Sequence, residues 1–253
     1  MAKLNVMSWG DGNAGKTAVA LHGITANAGA MTEPARMLAD LGWRFIAADM
    51  RGHGESSRAD GSFTFDSLLQ DFAENLPLEP DVLIGHSFGG TLAQLGVLRG
   101  IFRPKALMLE DPVSFFADKA TPKGMLDWDE ANLPRSVDGL LEMNPKWSRR
   151  DAAWKLLSIE QIDFDDARSA FVGNAPWDLR PEAATLAKKL PTVWFLPEVS
   201  RFVPNEDAER LKCEAGERSV IIMPDVGHSI HRDATKEFID VVVKLGEDTW
   251  FLS

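Results

Sequence analysis

The chain predicts an α/β fold in which a mostly parallel β-sheet, covered by helices on both faces, is interrupted by a helical insertion. Three observations lead there. Short β-rich runs alternate with amphipathic helical stretches as far as Leu109. The run Val82-Leu83-Ile84 is wholly apolar, as a strand buried on both faces must be. Strand character then disappears between about Ser114 and Leu186 and returns at Thr192.

Taken in order, Leu4 to Trp9 reads as a strand, Gly10 to Lys16 as a turn, and Thr17 to His22 as the next strand. A helix follows over Met31 to Leu41, with proline in its first turn and Gly42 just past its end. Trp43 to Asp49 is a third strand, and Met50 to Gly61 a loop rich in glycine, serine and charge. Thr64 to Leu76 is helical, with Phe65, Leu68, Leu69, Phe72 and Leu76 on one face. Strand Asp81 to Gly85, helix Phe88 to Leu98 and strand Lys105 to Leu109 complete the first half. After the insertion come strands at Thr192 to Leu196 and Ser219 to Met223 and a closing helix over Ala234 to Leu245. That is seven strands in all.

Composition narrows the function. A net charge of −11 argues against nucleic acid as a partner and against a polybasic membrane anchor. The single cysteine, Cys213, has no internal disulfide partner and builds no metal cluster. No apolar run approaches the ~20 residues that span a bilayer, and the first residues lack the apolar stretch of a secretory signal. The expectation is a cytoplasmic protein. Tyrosine is absent, so no phenol serves as acid or base.

Three segments carry chemistry. Gly85-His86-Ser87-Phe88-Gly89 fits Gly-x-Ser-x-Gly between an apolar strand and a helix, the context of a nucleophile elbow. Leu21-His22-Gly23-Ile24 ends an early strand. Pro224-Asp225-Val226-Gly227-His228 follows the last strand, and a serine nucleophile at neutral pH needs a base that titrates near 7. Of five histidines, only His228 sits on a loop after a late strand, downstream of Ser87. A fourth segment, Gly10 to Thr17, fits the P-loop pattern. The β-like run Ala18 to Leu21 stands where a phosphate-binding helix should start, so it is read as a turn between strands that binds no nucleotide.

Together with Asp49-Met50-Arg51-Gly52-His53-Gly54-Glu55-Ser56, these segments resemble the cap-bearing α/β-hydrolase superfamily over nearly the whole chain. The resemblance implies an eight-stranded, mostly parallel core over 1–113 and 187–253, with a helical cap over 114–186. It implies Ser87 as nucleophile, His228 as base, and the amides of Ile24 and Phe88 as the oxyanion hole. It implies no metal and no organic cofactor. The acid departs from the pattern. The usual Asp-Arg-Phe-Val-Pro after the family's seventh strand is here Ser200-Arg201-Phe202-Val203-Pro204. Some branches carry the acid after the sixth strand, where Glu110 and Asp111 stand. Asp111 is favoured, Glu110 is the competitor, and Glu198 a remote third.

The expected function is a serine hydrolase of a small carboxylic ester or lactone. Seven aromatics of the insertion region, Phe115, Phe116, Trp128, Trp147, Trp154, Phe171 and Trp177, suggest an apolar or aromatic substrate. The same residues suit carbon–carbon bond hydrolysis, cofactor-independent dioxygenation, or a small-molecule receptor that has kept the fold.

Overall fold

A computed structural model describes residues 2–57 and 62–247; residues 58–61 of the predicted Met50–Gly61 loop lie outside the described residues. The strands are β1 (Val6–Trp9), β2 (Thr17–Leu21), β3 (Arg44–Ala48), β4 (Val82–His86), β5 (Ala106–Glu110), β6 (Phe115–Phe116), β7 (Trp177–Asp178), β8 (Thr192–Pro197) and β9 (Val220–Met223). The α-helices are α1 (Thr32–Asp40), α2 (Phe65–Asn75), α3 (Phe88–Leu98), α4 (Ala120–Asn132), α5 (Val137–Met143), α6 (Arg149–Gln161), α7 (Phe164–Phe171), α8 (Ala183–Lys189), α9 (Asn205–Ala215), α10 (Ile230–Asp233) and α11 (Thr235–Gly246).

Seven strands form the main sheet in the order β1-β3-β2-β4-β5-β8-β9. β1 runs antiparallel to β3, and every other pair is parallel. Side chains alternate across it with period two. Ala18, Ala20, Val82, Ile84, Met108, Val193 and Phe195 face a core closed by α1 and α11. Val19, Leu21, Leu83, Leu107, Leu109, Trp194 and Leu196 face the core closed by α2, α3, α8 and α9. Burial on both faces explains why these strands read as continuous apolar runs.

Two expectations are corrected. The eighth strand implied by the resemblance is not present among the described residues. The amides of Ala2 and Leu4 are instead taken by the side chains of Asp71 and Asn75 on α2. The insertion, expected to hold no strand, is bounded by a two-stranded antiparallel ribbon that pairs Phe115 with Asp178 and Phe116 with Trp177. Trp177 Nε1 also donates to Val113 O at 3.0 Å. Between the ribbon's strands lie α4 to α7. α6 opens on a capping box between Ser148 and Asp151.

The P-loop-like segment joins β1 to β2, and a strand begins at Thr17. The loop therefore meets no helix N-terminus, whose amides such a motif needs.

The loop after β3 is anchored by a buried ion pair. Arg51 donates from Nε and Nη2 to both oxygens of Asp71, the latter contact at 2.6 Å. Asp71→Ala leaves that guanidinium buried without its counter-charge, and the expected cost is about 3 to 5 kcal/mol. Urea denaturation of the variant against the wild type measures it.

Candidate active site

Ser87 sits between the last residue of β4 and the first of α3, with φ 56 and ψ −121. Such a backbone is strained for a non-glycine residue and persists only where its surroundings enforce it. Here they are glycines and tight packing. A Cβ on Gly85 would fall 2.6 Å from Gly89 O, and one on Gly89 would fall 2.1 Å from Leu21 O. The Ser87 amide donates to Glu110 O at 3.0 Å, and Ser87 O accepts from Val113 at 3.2 Å, which ties the turn to the end of β5.

The structure brings Asp111 to His228. Asp111, fully buried, has a positive φ of 37, so the chain turns sharply just after β5. Its Oδ2 accepts from His228 Nδ1 at 2.6 Å. That bond places the proton on Nδ1 and leaves Nε2 as an acceptor. The other oxygen, Oδ1, accepts from Ser200 Oγ. Ser200 Oγ in turn accepts from the amides of Phe202 and Val203, at 3.0 and 2.7 Å. The serine that replaces the expected aspartate thus steadies the carboxylate that contacts the ring. Ser87 and His228 line one cavity. Among the described residues no hydrogen bond joins them.

Glu110 is directed elsewhere. Both its oxygens lie 2.9 Å from His231 Nδ1, and Oε1 also accepts the His231 amide at 2.8 Å. It does not touch His228. Glu198 is held by its amide to Met223 O, and among the described residues its side chain forms no hydrogen bond to a histidine. His86 donates from Nε2 to the His228 carbonyl at 3.0 Å, so the loop that carries His228 is pinned from behind. His86, Glu110 and His231 bring their donor atoms within 4.8 Å of one another, the one candidate metal cluster among the described residues. Within that trio His231 Nε2 is buried without a hydrogen-bond partner.

Of the two predicted oxyanion donors, Ile24 lines the cavity with Ser87, and Phe88 follows Ser87 in the chain. Phe88 is the first residue of α3, so its amide has no partner within the helix. The Ile24 amide likewise donates to no described acceptor. Its loop is held by two buried histidines. His22 Nδ1 donates to Gly23 O at 2.8 Å and its Nε2 accepts from Met50 at 2.9 Å. His53 Nε2 lies 2.6 Å from Ile24 O. Burial, reinforced by the neighbouring His53, lowers the His22 pKa to about 4. Burial lowers His53, His86 and His231 as well, the last two well below the usual histidine range.

The cavity over Ser87 has a volume of about 110 Å³. Of the seven aromatics that suggested an apolar or aromatic substrate, Trp147 and Phe171 line it. Phe116, Phe171 and Trp177 pack edge to face with centroids 5.0 to 5.9 Å apart, because these rings close the insertion onto Phe88. Phe115 lies under the Arg180 guanidinium, Trp154 against Gly29, and Trp128 is exposed. What the sequence reading missed is charge. Lys155, Arg201 and Arg232 line the cavity, with Asp129. Lys155 Nζ donates to Thr25 O and Oγ1, at 2.7 and 2.9 Å, which joins α6 to the loop of Ile24.

A family model described as the alpha/beta hydrolase family matches residues 18–241. The chain belongs to that family. Its relatives include the AB hydrolase superfamily protein YisY of Bacillus subtilis, 26% identical over 231 residues that cover 85% of each chain. Putative esterase/lipase 2 of Mycoplasma pneumoniae is 26% identical over 231 residues, 88% of this chain and 85% of that one. Among solved structures, the enol-lactonase from Burkholderia xenovorans LB400 superposes with a TM-score of 0.73 at 21% identity, over 96% of both chains. None of the described helices is long and apolar enough to cross a membrane.

The buried histidines make stability depend on pH. A histidine whose pKa falls on folding is neutral in the native state, so the unfolded chain binds the extra proton. Stability is therefore full above about 6.5 and is lost as pH falls toward the native value. With a native pKa of about 4, His22 alone removes about 2 kcal/mol at pH 5. In urea denaturation the wild type should lose stability from pH 7 to pH 5, and His22→Gln should lose about 2 kcal/mol less over that interval.

Proposed function

We propose that this α/β hydrolase is a serine hydrolase that cleaves a small carboxylic ester or lactone through an acyl-enzyme. One observation carries the reading: a serine held in a strained turn shares a cavity with a histidine whose far nitrogen is bonded to a fully buried carboxylate. Ser87 Oγ attacks the carbonyl carbon while His228 Nε2 takes its proton. The negative oxygen of the tetrahedral intermediate is met by the amides of Ile24 and Phe88, which have no other acceptor. The carbon–oxygen bond to the leaving group then breaks, and His228 returns the proton to the departing oxygen. Water attacks the acyl-serine with the same base, releases the carboxylic acid and restores Ser87. Asp111 fixes the ring tautomer and stabilises the imidazolium formed in each half. Glu110, occupied with His231, supports the loop rather than the proton transfer.

The deciding experiment is hydrolysis of a p-nitrophenyl ester with and without a fluorophosphonate probe. Wild-type protein should turn over, and the probe should label Ser87 and stop it. Ser87→Ala should lose on the order of 10⁴ to 10⁶ in turnover while melting like the wild type. Near wild-type turnover by a folded Ser87→Ala protein would sink the proposal.

Asp111→Asn keeps the shape of the acid but removes its charge, and should lower turnover by about 10⁴. Glu110→Gln should lower it far less. The reverse ranking would move the acid to Glu110.

A further inference from the structure

Two buried basic side chains line the cavity and form no ion pair among the described residues. Arg232, on α10 four residues after His228, is 5% exposed. Its guanidinium stacks on the Trp147 ring, 4.4 Å from the centroid. It forms no ion pair among the described residues, and its buried Nε has no hydrogen-bond partner. The Trp147 indole nitrogen beside it is likewise buried and unpartnered. Lys155, 8% exposed, has only the two oxygens of Thr25. Arg201 adds a third positive charge from an exposed position.

One nearby carboxylate acts on these charges: Asp129, on the cavity wall, has its pKa raised by burial against the opposing charges of Lys155 and Arg201, and it makes no ion pair with Arg232 among the described residues. The others are engaged elsewhere. Asp151 is engaged in the cap of α6, Glu110 with His231, and Asp233 with the Gly227 amide. Burial therefore draws the Arg232 guanidinium down to about 10 and the Lys155 amine to about 7. A buried charge without a partner is costly, and native proteins seldom keep one unless something answers it.

We propose that the cavity beside Ser87 receives a carboxylate carried by the substrate, with Arg232 and Lys155 as its binding residues. This rests on the reading of Ser87 as the nucleophile and adds the substrate class: a hemi-ester, or a lactone with a free carboxyl group. The planar guanidinium, seated over the Trp147 ring, offers the paired donors that a carboxylate accepts. The reacting carbonyl stays between Ser87 and the amides of Ile24 and Phe88, and the free carboxylate occupies the cationic end.

The test compares two p-nitrophenyl esters of like size, the 5-methylhexanoate and the glutarate hemi-ester. The expected result is a kcat/KM about 10- to 100-fold higher for the hemi-ester, as charged hydrogen bonds in a buried site confer. Arg232→Met and Lys155→Met should each collapse that ratio, and Arg232→Lys should retain part of it. A purely structural role for Arg232 would lower the melting temperature and leave the ratio intact, which overturns the proposal. So does a wild-type ratio of one or less. If neither ester is cleaved and Ser87 takes no label, the hydrolase reading fails on its own, and binding decides the inference. Calorimetry with Ser87→Ala should then find monomethyl glutarate bound at least about tenfold more tightly than dimethyl glutarate, a preference lost on adding Arg232→Met. Equal affinity for the two ligands overturns the inference, whatever the fate of Ser87. Should Arg232→Met not fold, Lys155→Met serves in its place.

Discussion

A carboxylate shut away from water needs both its oxygens answered, and at the end of β5 two such groups stand side by side. Glu110 closes the strand, and its side chain takes the amide and ring of His231. Asp111 follows in a left-handed conformation and takes His228 on one oxygen and Ser200 on the other. Between them these two residues bind the strand end to the loop after β8 and to the segment after β9. The Ser87 amide also ends on Glu110 O, so the turn that carries Ser87 is fastened to the same point. The geometry of the site follows from satisfying these two acids.

The five histidines divide by the same rule. His22, His53, His86 and His231 are buried, and their ring contacts hold backbone carbonyls, an amide or a carboxylate in place. Burial keeps them neutral, so they act as rigid spacers. His228 alone is half-exposed to the cavity while tied at Nδ1. One residue type thus serves as scaffold in four places and faces the cavity in the fifth.

How much of this was legible in the sequence depended on how local the signal was. Ser87 was readable because its turn demands glycines at fixed offsets beside an apolar strand. The main strands were readable because burial on both faces leaves unbroken apolar runs. Counting along the strand favoured Asp111 but kept Glu110 as competitor, since adjacent residues at a strand end differ only in the side to which they point. The β6–β7 ribbon contributes two residues per strand, too few for any periodicity. The aromatics of the insertion left open which of them face the cavity, because residue type does not say which way a helix is turned. Most of these rings close the insertion's own packing. Lys155 and Arg232 left no trace, because a cation among the many charges of an acidic chain reads as surface until the fold buries it.

The ribbon of Phe115–Phe116 with Trp177–Asp178 has an architectural consequence. It brings the departing and returning chain together at one narrow neck, with Trp177 Nε1 latched to Val113 O. The cost of closing so long a connection is met at that neck and grows only slowly with its length. Helices beyond the neck can be lengthened, shortened or exchanged without disturbing the register of β5 and β8. Yet Lys155 on α6 and Trp147 between α5 and α6 reach back to the cavity wall. Variation in this one excursion of the chain can therefore retune what the cavity accepts while the reacting groups, all on the other side of the neck, keep their positions.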